Sequence, residues 1–161
     1  MIKTMVISSP LGNIRLISEG GYLLALEFTD EPEAVDGDSA FLLEVKLQLD
    51  AYFRGDLRIF DIRVGIGGTD FQRRVWMEVN KIPYGSTATY QDIAKKLGKP
   101  KAVRAVGMAN RANPLLIVIP CHRIIAQSGE LTGYAGGLWR KLKLLQLEAR
   151  DKPGKPYSLG F

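Results

Sequence analysis

Cysteine and histidine are almost missing from this chain of 161 residues: Cys121 and His122 are the single members of their kinds. One cysteine excludes a disulfide framework within the chain, and one cysteine with one histidine excludes a Cys/His zinc site. Long apolar runs are missing too. None approaches the roughly 20 residues of a membrane span, and residues 1–10 lack the apolar h-region of a secretory signal. The expectation is a soluble, unexported, cytoplasmic protein in a reducing compartment, with no membrane contact. Internal repeats and low-complexity blocks are absent. The rest, 46% hydrophobic and 24% charged, is ordinary globular composition and enough for one domain or two small lobes sharing a core.

Charge is divided unevenly. Through Thr69 there are 6 Lys and Arg against 11 Asp and Glu, a net of −5, whereas the chain from Asp70 onward carries +10. A cationic half beside an anionic one fits a polyanion partner, nucleic acid first, although a solvated basic surface would look the same in composition.

The expected fold is α/β in two lobes, 1–68 and 69–161. In the first, strands at Ile2–Ile7, 14–17 and 22–28 alternate with Pro- and Gly-containing turns, an antiparallel β-meander. An acidic loop, 29–39, precedes apolar residues at helical spacing (Phe41, Val45, Leu49, Tyr52, Phe53) that stop at Gly55. Leu57, Ile59, Ile62 and Val64 predict one more strand, and Gly65-Ile66-Gly67-Gly68 a flexible joint.

In the second lobe, Thr69 with Gln72 predicts a capped helix (Phe71, Val75, Val79, Ile82), and Thr89 with Asp92 caps another that ends at Gly98. A third helix, 101–111, follows across a short glycine turn, which is helix-turn-helix grammar. It carries Lys101, Arg104 and Arg111 among small residues such as Ala102 and Gly107, suited to close approach to a duplex or equally to tight packing in a core. Leu115-Leu116-Ile117-Val118-Ile119, bracketed by Pro114 and Pro120, predicts a buried strand or extended segment. A loop at Gly133-Tyr134-Ala135-Gly136-Gly137 leads to a last helix defined by Leu138, Leu142 and Leu145 with Leu144 and Leu147, ending near Ala149. The tail around Lys152-Pro153-Gly154-Lys155-Pro156 is expected to be poorly ordered.

A lone cysteine is ordinarily a small buried hydrophobe. Here it stands beside the only histidine, in Ile119-Pro120-Cys121-His122-Arg123. The thiolate is the nucleophile, and a base or a positive field must help it form near neutral pH; His122 and Arg123 are candidates. In an extended chain the two side chains point apart, so the pair needs a turn or a bridging water. A histidine base also needs a group to set its tautomer, and the carboxylates of the basic half are Asp70, Glu78, Asp92, Glu130, Glu148 and Asp151. Glu148 falls on the apolar side of the last helix, where an unpaired carboxylate would be costly, or else on its rim in water. The dinucleotide fingerprint fails at Asp70, and neither a Walker loop nor a G-x-S-x-G elbow is present.

Ile119-Pro120-Cys121-His122-Arg123-Ile124 resembles the active-site motif of the O6-alkylguanine-DNA alkyltransferases, also called methylated-DNA-protein-cysteine methyltransferases. Phe71-Gln72-Arg73-Arg74-Val75-Trp76, Ile82-Pro83-Tyr84-Gly85, Thr89-Tyr90, Ala102-Val103-Arg104-Ala105-Val106-Gly107, Asn113-Pro114, the Tyr134 loop and Leu147-Glu148 are similar to that family, in its order. The likeness is specific over 69–149 and general in the first lobe.

This resemblance implies a ribonuclease H-like scaffold lobe and a winged-helix-like DNA-binding, catalytic lobe. It implies direct, single-turnover repair of duplex DNA containing O6-alkylguanine, and of O4-alkylthymine. The base is flipped out and its alkyl group moves irreversibly to Cys121, with no cofactor and no metal. By the family's pattern His122 takes the Cys121 proton through a water, Glu148 orients His122, and Asn113 braces the turn. Tyr90 donates a proton to the leaving guanine and helps rotate the nucleotide, and Arg104 fills the vacated stack. Lys101, Ala102 and Arg111 accompany Arg104 in minor-groove contact, while Tyr134, Ala135, Gly136 and Ile124 form the base pocket. The protein is expected to be monomeric and nucleoid-associated, with cooperativity on DNA open. Some members have Ser, Pro and Met where Ala135, Leu116 and Asn110 stand, which bears on tolerance for bulky adducts. Two other readings are a non-catalytic lesion-binding protein of the same fold and a helix-turn-helix regulator; neither needs the Pro-Cys-His-Arg sequence. A hydrolytic Cys-His enzyme is a third.

Overall fold

The computed structural model describes residues 1–35 and 37–150. The predicted disordered tail, 152–156, lies outside them. The chain forms two compact units, Met1–Ile66 and Gly67–Phe161.

In the first unit, β1 (Ile2–Ile7), β2 (Asn13–Glu19) and β3 (Tyr22–Thr29) form an antiparallel sheet in the order β1-β2-β3. Period-2 alternation sends Ile14 and Leu16 of β2 inward, opposite Ile7 and Met5 of β1. A register shift at Ile17/Ser18 lets β3 run back from the tight Gly20-Gly21 turn. Helix α1 (Ala40–Arg54) starts where the Ser39 hydroxyl accepts from Leu42 N and stops at Gly55, whose φ of 82° is accessible at no cost only to glycine. Its buried stripe of Leu42, Val45, Leu49 and Tyr52 joins the sheet's inner residues in the interior of this unit.

The strand expected from Leu57 onward does not form. Gln48 of α1 donates from Nε2 to the Asp61 carbonyl and accepts from Asp61 N, both at 2.9 Å, so this backbone is satisfied by a side-chain amide rather than a neighbouring strand. Ile59 is left 83% exposed. The segment meets the sheet around Val64, in an isolated parallel bridge with Leu23 made by the Arg63 carbonyl and Gly65 N–H.

In the second unit, α2 (Asp70–Val79) and α3 (Tyr90–Lys96) both begin with complete capping boxes, Thr69/Gln72 and Thr89/Asp92. Helix α4 (Val103–Arg111) starts two residues later than predicted, and the α3–α4 connection is the longer segment 97–102, turning at Gly98 (φ 71°). Trp76 of α2 ties α4 down by donating from Nε1 to the Ala109 carbonyl at 2.8 Å. Two short parallel strands, β4 (Ala88–Thr89) and β5 (Ile124–Ile125), link the start of α3 to the segment after Cys121. Helix α5 (Leu138–Ala149) closes the unit. Among the described residues, no helix is long and apolar enough to cross a membrane.

Candidate active site

The apolar segment 115–119 is buried as expected, apart from half-buried Val118, but is not a strand. It folds into a tight loop, with Ile119 N donating to Leu115 O (2.9 Å) and Val118 N to Leu116 O (2.8 Å). Ile117 takes φ 72°, a costly conformation for a β-branched residue that persists only where its surroundings impose it. Asn113 supplies the constraint. Its Oδ1 accepts from Leu115 N at 2.9 Å, and its Nδ2 donates to Ile119 O at 2.9 Å and Leu115 O at 3.3 Å. One amide therefore staples both ends of the loop and does the work of a sheet neighbour, while Pro114 and Pro120 have no N–H to offer a ladder.

The loop delivers the chain into a 3-10 turn, Cys121–Arg123. From this turn His122 and Arg123 both reach Glu148 on α5. His122 Nε2 lies 2.7 Å from Glu148 Oε2. Arg123 donates from Nε to Glu148 Oε1 (2.7 Å), from Nη2 to Oε2 (3.1 Å) and from Nη1 to the Ile82 carbonyl (2.6 Å). Burial alone would raise the Glu148 pKa, but the facing His122 and Arg123 hold its carboxyl well below the usual range. An ionised carboxylate only accepts, so Nε2 of His122 carries the ring proton and Nδ1 is the bare lone pair. That Nδ1 is buried and has no hydrogen-bond partner among the described residues. Burial lowers the His122 pKa, with Glu148 opposing and Arg123 and Lys141 assisting. The imidazole at rest is thus a neutral base of defined tautomer.

Cys121 is 1% exposed. Burial pushes its thiol up to about 11, against the Asn113 amide, the Lys141 charge and its own backbone. The resting sulfur is therefore protonated, and a thiolate must be made inside the site by a base. Ile124 is fully buried as well, and Asn110 of α4 donates from Nδ2 to the Cys121 carbonyl at 3.2 Å. Tyr134 packs edge-on to His122, with ring centroids 6.5 Å apart. Its hydroxyl is buried without a partner among the described residues, and burial raises its pKa well above 10, with Cys121 and Glu148 adding to the effect. In the same loop Ala135 is exposed and Gly136 buried.

Tyr90, the first residue of α3, points its hydroxyl at Thr132, donating to the carbonyl at 3.1 Å and lying 3.3 Å from Oγ1. Its ring is close to α4: a Cβ at Gly107 would stand 3.7 Å from it. On α4 itself Arg104, Ala105, Met108 and Arg111 form one exposed face at i, i+1, i+4 and i+7; Lys101 is exposed and Ala102 half-buried just before the helix. The cations and the sulfur are thus carried by neighbouring parts of one unit, the former in solvent and the latter inside.

Three contributors were not legible as such in the sequence. Arg123 stood out only as a cation near the thiol, not as a second partner of Glu148. Asn110 stood out only as a departure from some relatives. Lys141 was missed, since the apolar residues read for α5 were Leu138, Leu142 and Leu145 with Leu144 and Leu147; the residues that are buried are Lys141, Leu144, Leu145 and Glu148. Their spacing of i, i+3, i+4 and i+7 is the available signal: two opposite charges flank two leucines on a single helix face.

Comparison with known proteins agrees with this geometry. Residues 70–150 match the family model described as 6-O-methylguanine DNA methyltransferase, DNA binding domain, and residues 2–66 match that of its ribonuclease-like domain. A methylated-DNA–protein-cysteine methyltransferase of Mycobacterium leprae is 46% identical over 153 residues, covering 92% of this chain and 93% of the relative. One of Methanosarcina acetivorans is 44% identical over 149 residues, covering 89% and 96%. The crystal structure of Mycobacterium tuberculosis O6-methylguanine methyltransferase superposes with a TM-score of 0.84 at 42% identity, over 96% of this chain and 97% of that one. The same organism's OGT in complex with DNA gives 0.85 at 42% identity, over 94% and 95%. A buried thiol in a braced turn, a histidine bound to a buried carboxylate and a cationic helix in the same unit thus coincide with two matched family models that together span nearly the whole chain, which belongs to the 6-O-methylguanine DNA methyltransferase family.

Proposed function

We propose that this protein repairs duplex DNA directly, binding O6-alkylguanine, and O4-alkylthymine, and moving the alkyl group to its own Cys121. Unit Gly67–Phe161 carries DNA binding and chemistry, and unit Met1–Ile66 serves as scaffold. The observation that carries the reading is the buried, partnerless Nδ1 of His122, with Nε2 bound to Glu148, in the same short turn as the sulfur. An imidazole prepared in that way is a general base for its neighbour. Nδ1 takes the Cys121 proton through a bridging water, and Glu148 steadies the imidazolium that forms. The sulfur attacks the alkyl carbon, the S–C bond forms, and the C–O6 bond breaks with its electron pair going to guanine. Tyr90 supplies a proton to the departing base. The thioether is stable, so each molecule acts once. No step needs a cofactor or a metal.

A base stacked in a duplex is out of reach of a buried sulfur, so it must be flipped at a cost of a few kcal/mol. Exposed Arg104 enters the vacated stack, and Lys101, Ala102 and Arg111 contact the backbone beside it, with small residues suiting the narrower minor groove. Tyr134, Ala135, Gly136 and Ile124 enclose the extruded base. The protein acts as a monomer in the cytoplasm, associated with the nucleoid.

The direct test is incubation with a duplex containing one O6-methylguanine, followed by weighing of the tryptic peptide that carries Cys121. One methyl in place of the thiol hydrogen, with equimolar loss of the lesion, is expected. Lesion binding with unchanged peptide mass would instead identify a lesion-recognition protein. Arg104→Ala is expected to slow repair of a fully paired lesion about tenfold or more, and repair of the lesion in a single strand much less, because only the paired base must be extruded. Single-turnover rates on the two substrates check this, and an equal loss on both would remove Arg104 from the flipping step.

A further inference from the structure

The loop that leads into α5 has glycine at 133, 136 and 137, and a chain of that composition keeps one shape only where side chains hold it. Two residues at the start of α5 do so. Arg140 reaches back four positions and donates from Nη1 to the Gly136 carbonyl at 3.1 Å. Its guanidinium also lies over the Trp139 indole, 4.5 Å from the ring centroid. The indole in turn closes on Gly137 (φ 91°), where a Cβ would meet Trp139 Cδ1 at 3.4 Å and Nε1 at 3.5 Å. Gly137 N donates to the Tyr134 carbonyl at 3.0 Å, so the backbone from Tyr134 to Gly137 is a closed turn with Arg140 and Trp139 set against its end. Trp139 is 49% exposed, and core packing does not account for a tryptophan there. Arg140 also acts on the ring at the other end of the turn: burial raises the Tyr134 pKa, and the Arg140 charge opposes that rise.

We propose that Arg140, stacked on Trp139, latches the Tyr134–Gly137 turn and thereby limits the size of the alkyl group that the base pocket admits, which makes the pair positioning residues that determine specificity. This rests on the reading that the Tyr134 loop encloses the extruded base. With the latch closed, the wall formed by Tyr134, Ala135 and Gly136 stands at a fixed place. A methyl group asks for no more room than that wall leaves. A flat, bulky group such as benzyl has to push the turn outward, and the turn moves only if the Arg140–Gly136 hydrogen bond breaks and the guanidinium leaves the indole. The strength of the latch is therefore charged to bulky adducts and not to small ones, which is discrimination by differential transition-state binding.

The test compares second-order transfer constants, under single-turnover conditions, for duplexes carrying O6-methylguanine and O6-benzylguanine, read from the mass of the Cys121 peptide. Arg140→Ala is expected to raise the benzyl-to-methyl ratio about fivefold or more while the methyl constant stays within about threefold of wild type. Trp139→Ala, a change at a half-exposed side chain that provides a second folded variant, should raise the ratio less. The double variant should exceed Arg140→Ala by no more than about twofold, because the indole acts only through the guanidinium. Arg140→Lys keeps the cation without the planar fork and should fall between wild type and Arg140→Ala. Acrylamide quenching reads the latch itself. Trp76 is 2% exposed, so quenching reports Trp139, which should become more accessible in Arg140→Ala. An unchanged ratio in Arg140→Ala overturns the proposal, whether or not quenching rises, and leaves the alkyl-transfer reading intact. Effects of Arg140→Ala and Trp139→Ala that multiply also overturn it, since the two residues would then act separately. If wild type transfers neither group, the reading of the site fails and takes this proposal with it.

Discussion

Cys121→Ser is expected to abolish alkyl transfer, by on the order of 10⁴-fold or more, while leaving affinity for undamaged duplex within about twofold. The two effects separate because the sulfur and the cations proposed to face DNA occupy different places in the same unit. The sulfur is buried in a 3-10 turn, whereas Arg104, Lys101 and Arg111 are in solvent on or just before α4. A serine hydroxyl is far less acidic than a thiol and a harder nucleophile. The neutral His122 that serves a thiol already pushed up to about 11 by burial has no margin for a still weaker acid. Single-turnover transfer and fluorescence anisotropy on an undamaged duplex measure the two quantities. A parallel loss of both would mean that Cys121 supports the DNA-binding surface itself, and the division of labour proposed here would be wrong.

Glu148→Gln is expected to have the largest effect on stability, about 3–5 kcal/mol at neutral pH, because it leaves the buried Arg123 guanidinium without its counter-charge. The pH dependence has a definite sign. Glu148 is held well below 4.5 in the folded protein and returns to that value on unfolding, so its contribution is complete above about pH 5 and is lost as the pH falls through and below 4.5. The stability gap between wild type and Glu148→Gln should therefore narrow steadily toward about pH 3. Urea denaturation across that range measures it, and a gap independent of pH would show that the carboxylate is not the group being lost. The same variant should slow transfer as well, since a neutral amide can donate to His122 Nε2 and shift the ring proton to Nδ1, blocking the base.

The helices with hydrogen-bonded caps were the most legible part of the fold. Ser39 before α1, Thr69 with Gln72, and Thr89 with Asp92 each close within a few residues, so the signal and the structure share the same short stretch of chain. The β-meander was equally plain, because tight turns leave neighbouring strands few other partners. Failures occurred where a distant side chain supplied what a strand partner would have supplied. Gln48 holds Asp61 from another element, and Asn113 staples the 115–119 loop shut, so two apolar stretches with strand-like composition take other conformations.

The amino-acid sequence by itself determined the Cys-His pair, the motifs around it and the cationic helix, since these are properties of residue type and local spacing. Only the tertiary structure decided which carboxylate meets the histidine. His122 and Glu148 are 26 positions apart, and their 2.7 Å contact exists because α5 packs on the Cys121 turn. That contact orients the imidazole and favours the tautomer protonated on Nε2, and the same carboxylate binds Arg123. The same packing buries Lys141 against Thr132. Local pattern reaches about one helical turn along the chain, whereas the protonation state of a buried group depends on whatever the folded chain brings against it.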